Sequence, residues 1–152
     1  MRKNKLQIEQ LEFKMKILAP ALQVSQPPTG WIKATRLALG MSLRQLAQRL
    51  FVTKQSLQEL EQREKEGNIT LKSLRDAAEA LDMDLVYGFV PKDGSIDAMI
   101  EKRAQQMAMH MMAPTSHRLK LDDPENFEAN LQNAIEERVT LLKYKLPRNL
   151  WD

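Results

Sequence analysis

The stretch LAQRLFVTKQSLQELE, residues 46–61, decides how this chain folds. Its apolar residues recur at three- and four-residue steps, the period of a helix, but the phase breaks at Phe51-Val52-Thr53. The pattern is two short helices joined by a tight corner. Leu43, Leu46, Ala47 and Leu50 form one face of the first helix; Leu57 and Leu60 form one face of the second. Ala47 is small where the helices must cross closely, and Val52 is placed to plug the corner. Ser42 and Thr53 stand where each helix needs a cap.

The rest of the second helix is polar: Lys54, Gln55, Ser56, Gln58, Glu59 and Gln62. One helix packs inward and the next turns a polar face outward, which is a helix-turn-helix pattern. A lone polar face is as a rule only solvated; the small Ala47 and the corner spacing favour DNA as its target. A Gln amide pairs with adenine N6 and N7 together, Lys donates to guanine or phosphate, and Ser hydroxyls serve either role. The N-terminal end of such a helix, Thr53 to Ser56, is the part that enters the major groove.

LALGMSLRQLAQRLFVTKQSLQELE, residues 37–61, resembles the Cro and phage-repressor class of helix-turn-helix domains, the xenobiotic-response-element class, with residues 31–81 covering its first four helices. The resemblance implies that Lys54, Gln55, Ser56, Gln58 and Glu59 lie at or near base edges, and that Arg63 and Lys65 form the basic loop near the backbone. It implies a structural ion pair between Arg36 and Glu61. Two positions depart from the class. A phosphate-binding Gln is replaced by Leu43, so Arg44 or Gln45, beside Ser42, are the substitutes. The class favours Gly where this chain has Phe51, and a left-handed Phe costs roughly 1–2 kcal/mol. Either the ring packs to offset that cost or the turn takes another path.

Outward from this unit, residues 4–22 read as an amphipathic helix with Ile8, Leu11, Met15, Leu18 and Leu22 on one side, ended or kinked by Pro20. SQPPTG (25–30) reads as an extended linker, so residues 1–28 are a helix and linker. Residues 29–83 are the DNA-binding domain: Thr29 caps a helix from Trp31 to Leu39, and Thr70 caps one with Leu71, Leu74, Ala77, Ala78 and Leu81 on its buried side. DLVYGFVP (84–91) is β-rich and reads as a strand, with a turn to residue 94. Leu85, Val86, Tyr87, Phe89 and Val90 would pair with a second copy, as a dimer ribbon, or with a weaker strand at 117–122. Residues 95–152 are helical: one helix capped by Ser95 and ended by Pro114, another started by Asp123-Pro124 with Phe127, Leu131, Ile135, Val139 and Leu142 on its buried side. The expected fold is mainly α, a helix-turn-helix bundle of the phage-repressor type with an added short β-strand and helical extensions at both ends.

Charge is uneven. Residues 1–28 carry five basic and two acidic groups, residues 29–90 nine and eight, and residues 91–152 nine and ten. The basic bias suits a polyanion in the first two thirds and protein contacts in the last. No cysteine excludes a disulfide or thiolate metal site and suits a reducing cytoplasm. No apolar run approaches the roughly 18 residues of a membrane span. His110 and His117, with Pro114 between them, are not expected to share a helical face, so no metal site is expected. No glycine-rich phosphate loop or Ser-His-Asp arrangement can be placed, which argues against an enzyme and against a cofactor. Met107, Met109, Met111 and Met112 read as core filler or as an adaptable partner surface, and Leu150 with Trp151 offers the same choice.

PPTGWIKATRLALGMSLRQLAQRL, EGNITLKSLRDAAEALDMDLVYGFVP and a terminal PRNLWD together resemble the mobile mystery protein A family, whose members bind DNA and are encoded beside a Fic-domain protein on mobile elements. The resemblance implies a toxin–antitoxin-like pair. The inhibitory helix motif of Fic proteins, Ser or Thr four residues before Glu-Gly or Glu-Asn, is absent: Gln62 precedes Glu66-Gly67 and Leu121 precedes Glu125-Asn126. The expected function is a dimeric, sequence-specific DNA-binding regulator of a palindromic operator, repressing its own operon. The alternative is an antitoxin that binds the Fic-domain partner through residues 95–152 and the N-terminal helix.

Overall fold

The computed structural model of the chain describes residues 4–152, which divide into two compact units: Ala21–Gly88, and residues 4–20 with Phe89–Asp152.

In the first unit, four helices, α2 (Trp31–Ala38), α3 (Leu43–Arg49), α4 (Lys54–Glu66) and α5 (Leu71–Ala80), enclose a core of Ile32, Leu46, Ala47, Leu57, Ala77 and Leu81. Met41, Leu43, Leu50, Ile69 and Leu74 pack around it. Each helix ends in a similar way. A left-handed residue follows, directly after α4 and one residue further on after α2, α3 and α5, and the next N–H reaches back five residues: Met41 to the Arg36 carbonyl, Val52 to Ala47, Asn68 to Arg63 and Met83 to Ala78. The left-handed residues are Gly40, Phe51, Gly67 and Asp82. This Schellman closure satisfies carbonyls that a helix end would leave unpaired.

The start of α2 differs from the sequence expectation. Pro27 to Gly30 form a turn closed by the Gly30 N–H donating to the Pro27 carbonyl, which carries Thr29 away from the cap position. The Glu64 carboxylate of α4 caps α2 instead, its two oxygens accepting from the N–H groups of Trp31 and Ile32, each at 2.8 Å. A carboxylate satisfies two donors where a hydroxyl satisfies one, and its charge suits the helix N-terminus. Val52 does not plug the corner; its side chain is exposed, and only its N–H is engaged.

The second unit, by itself, is built on α6 (Ile96–Asp122) and α7 (Phe127–Lys145), which form a long antiparallel pair. Ile100, Ala104 and Ala108 of α6 meet Val139 and Leu142 of α7, and Leu150 from a terminal 3-10 turn (Arg148–Trp151) is fully buried among them. The two alanines let the helices approach closely. Lys143 pairs with Asp97 at 3.6 Å and Glu101 at 3.7 Å, fastening α7 to α6. The N-terminal helix α1 (Lys5–Leu18) belongs to this unit: Ile8 packs on the core, and Glu12 accepts from the Asp97 N–H at 2.9 Å in the first turn of α6. A 3-10 turn over Ala19–Gln23 follows α1, so the regular helix stops just before Pro20.

Three sequence expectations fail here. Residues 84–91 form no strand, and none occurs among the described residues. The pairing expected within the chain does not form, because 117–122, the other candidate strand, is helical. Pro114 does not end α6, which runs through it. Met112, Ser116 and Leu119 are half-buried at four- and three-residue steps, so packing follows the helical period on both sides of the proline. Nor does Asp123-Pro124 begin α7. Asn126 is its N-cap residue, and the Asp123 carboxylate accepts instead from the side-chain amides of Asn126 and Asn130.

Candidate nucleic-acid interface

The polar face of α4 is held from behind. Leu57 is fully buried in the first unit's core. Beside it, the Arg36 guanidinium donates to both Glu61 oxygens, at 2.6 and 3.2 Å, and to the Met41 carbonyl at 3.1 Å. Both residues are only 6% exposed. A charged pair this buried, with its donors and acceptors matched, fixes the rotation of α4 about its axis. That rotation turns Lys54, Gln55, Gln58 and Glu59 to solvent.

The start of α4 is set by Thr53, whose hydroxyl oxygen accepts from the Ser56 N–H at 3.0 Å and whose O–H donates to Ser56 Oγ at 2.9 Å. Thr53 is thereby committed to the cap. Ser56 is half-buried, and its own O–H remains able to donate. A capping box opens α3: Ser42 Oγ accepts from the Gln45 N–H at 3.1 Å, and Gln45 Oε1 accepts from the Ser42 N–H at 2.8 Å. Gln45 keeps its amide N–H groups for a ligand, and Arg44 beside it is exposed. Arg63 and Lys65, in the last turn of α4, are exposed as well.

All the residues expected from the sequence to contact DNA thus lie in one unit. Lys54, Gln55, Gln58 and Glu59 are free side chains on one element, Ser42, Thr53 and Gln45 serve local caps, and Arg36 and Glu61 form the brace behind. Phe51 takes the left-handed conformation, with φ 55°. Its ring is 96% exposed, so packing does not offset the backbone cost.

The residues expected to form a dimer ribbon are not in a strand. Leu85, Val86 and Tyr87 line a groove of about 560 Å³ in their own unit, with Trp31, Ile69 and Leu74. Phe89 is exposed and Val90 half-buried. The histidine expectation also changes. Because α6 is continuous through Pro114, His110 and His117 do share a face, two turns apart. That is about 10 Å along the axis, too far to share one ion. Among the described residues no cluster of metal-binding side chains occurs, and no helix is long and apolar enough to cross a membrane.

Two residues of structural consequence escape a sequence reading. Glu64 caps α2, and Arg49 donates to the Ala80 carbonyl at 3.2 Å and pairs with Asp82 at 3.6 Å, tying α3 to the end of α5. The available signal for Glu64 was Gly30, a helix start with no side-chain acceptor of its own.

A family model described as helix-turn-helix matches residues 32–87, from the second residue of α2 to beyond the end of α5. No curated protein and no solved structure matches the chain.

Proposed function

We propose that the chain is a DNA-binding transcription regulator that reads sequence through α4, acts as a dimer on a palindromic operator and represses its own operon. The observation that carries this reading is the exposed Lys54, Gln55, Gln58 and Glu59 face, held by a buried core and the Arg36–Glu61 brace. Four side chains on one short helix specify few base pairs, and two copies on half-sites one helical turn apart supply the rest. Lys54, Arg63, Lys65 and Arg44 supply phosphate contacts, so affinity should fall steeply with salt as counterions are released.

Selection of bound duplexes from a random pool tests the reading. The expected result is a two-fold symmetric motif with half-sites about 10 base pairs apart. Recovery of no enriched sequence overturns it.

A second reading concerns protein contacts. The second unit has its own core. Together with the resemblance to the mobile mystery protein A family, it supports an antitoxin role, in which α1, α6 and α7 engage a Fic-domain neighbour encoded in the same operon. Without the inhibitory Fic motif, the engagement would work by blocking or sequestration. Co-purification of the neighbouring gene's product with residues 95–152 present, and its loss in a chain ending at Lys92, is the expected outcome.

A further inference from the structure

α1 carries apolar residues on two opposite faces. One face is turned toward its own unit: Ile8 packs against the core around Ile100, and Met15 and Leu18 are half-buried. Leu6, Phe13 and Ile17 lie on the other face, with Gln10 between them. They are 62%, 69% and 67% exposed. Single exposed apolar residues are ordinary, but three in one line on a helix form an unpartnered stripe.

The stripe has the geometry of a two-helix seam. Positions 6, 10, 13 and 17 are four, three and four apart, the d-a-d-a spacing of a heptad. Glu9 and Lys16 flank it on the g side, and Gln7 and Lys14 on the e side. In a parallel pair each g residue faces the e residue five places on in the other helix. Glu9 of one copy then meets Lys14 of the other, and two-fold symmetry makes that contact twice. Gln10 meets its own copy at an a position, where a polar side chain sets the register by pairing with itself. Glu9 has only a 3.9 Å surface pairing with Lys5 to give up, and such pairs hold weakly.

We propose that this face of α1 is the dimerisation surface, and that its occupant is α1 of a second copy, parallel and in register. The proposal rests on the dimeric reading above and moves the interface from residues 84–90 to the N-terminal helix. The charge complementarity selects the partner, because the same short helix supplies the acid, the base, the apolar stripe and the self-pairing amide. Four seam positions would not hold two free peptides together. Here α1 is already ordered against its own unit, so association does not bear the cost of folding it.

The full chain contains no cysteine, so Gln10→Cys introduces the only thiol. In the parallel register its two copies meet at the seam within the Cα separation of about 4.4–6.8 Å that a disulfide spans. Mild oxidation should convert this variant to a covalent dimer. Sedimentation without DNA should show a wild-type dimer whose dissociation constant rises about tenfold or more in Phe13→Glu, with helical circular dichroism unchanged. Glu9→Lys should weaken the dimer likewise, and Glu9→Lys with Lys14→Glu should restore it. A wild-type monomer at all concentrations overturns both the dimeric reading and this surface. A wild-type dimer indifferent to Phe13→Glu overturns this surface alone. Rescue of Glu9→Lys by Lys16→Glu, with no disulfide at position 10, overturns the parallel register.

Discussion

Gly30 and Glu64 are matched to each other. A Cβ placed on Gly30 would lie 2.7 Å from Glu64 Oε1, the atom that accepts the Ile32 N–H. Gly30 also has φ +88°, where a side chain is strained even in open space. Gly30→Ala should therefore destabilise the fold by about 1–3 kcal/mol. Glu64→Ala should cost about 0.5–2 kcal/mol through the lost cap, and Glu64→Gln less. Urea unfolding of the three variants checks the order; an unaffected Gly30→Ala would show that α2 can start elsewhere.

The Arg36–Glu61 pair predicts an asymmetry. Arg36→Met leaves a carboxylate buried without its counter-charge and removes a donor from the Met41 carbonyl, at a cost of about 3–5 kcal/mol. Arg36→Met with Glu61→Leu removes both charges and should recover most of that loss. A double-mutant cycle in urea measures it. A double variant no more stable than Arg36→Met would mean that the brace is not coupled as its geometry indicates.

Phe51 sits in a conformation that favours glycine, and its ring returns almost nothing by burial. Phe51→Gly should stabilise the protein, by about 1 kcal/mol after the greater freedom of glycine in the unfolded chain is subtracted. The midpoint of unfolding should rise. Phe51→Ala, which keeps the left-handed strain, should stay close to wild type.

On α4, Gln55 is exposed and unengaged by any cap. Gln55→Ala should lose about 1–3 kcal/mol of binding at one base position and relax the preference there. Lys65→Ala should instead weaken binding evenly across sequences and reduce the salt slope by about 1. Titrations on the selected operator and its single-base variants separate the two. Wild-type affinity of Gln55→Ala at every position would mean that α4 enters the groove by another face.

Local sequence alone determined much of the first unit. The helical periods and the caps at Ser42, Thr53 and Thr70 rest on contacts within a few residues, and the structure keeps them. The Arg36–Glu61 pair spans 25 residues, and it was legible only through the family resemblance. Other features were decided by tertiary structure. Whether 84–91 becomes a strand depends on a partner ladder, and packing against α7 draws 117–122, the weaker candidate strand, into a helix. Pro114 breaks a helix by removing one hydrogen bond, but burial continues at helical spacing on both sides and carries α6 through. Thr29 has the chemistry of a cap and loses the position to Glu64, which is 32 residues from Ile32 in sequence and 2.8 Å from its N–H in space. Phe51 joins the two: the local sequence marks it as the wrong residue for its turn, and the closure of α3 against α4 holds it there all the same.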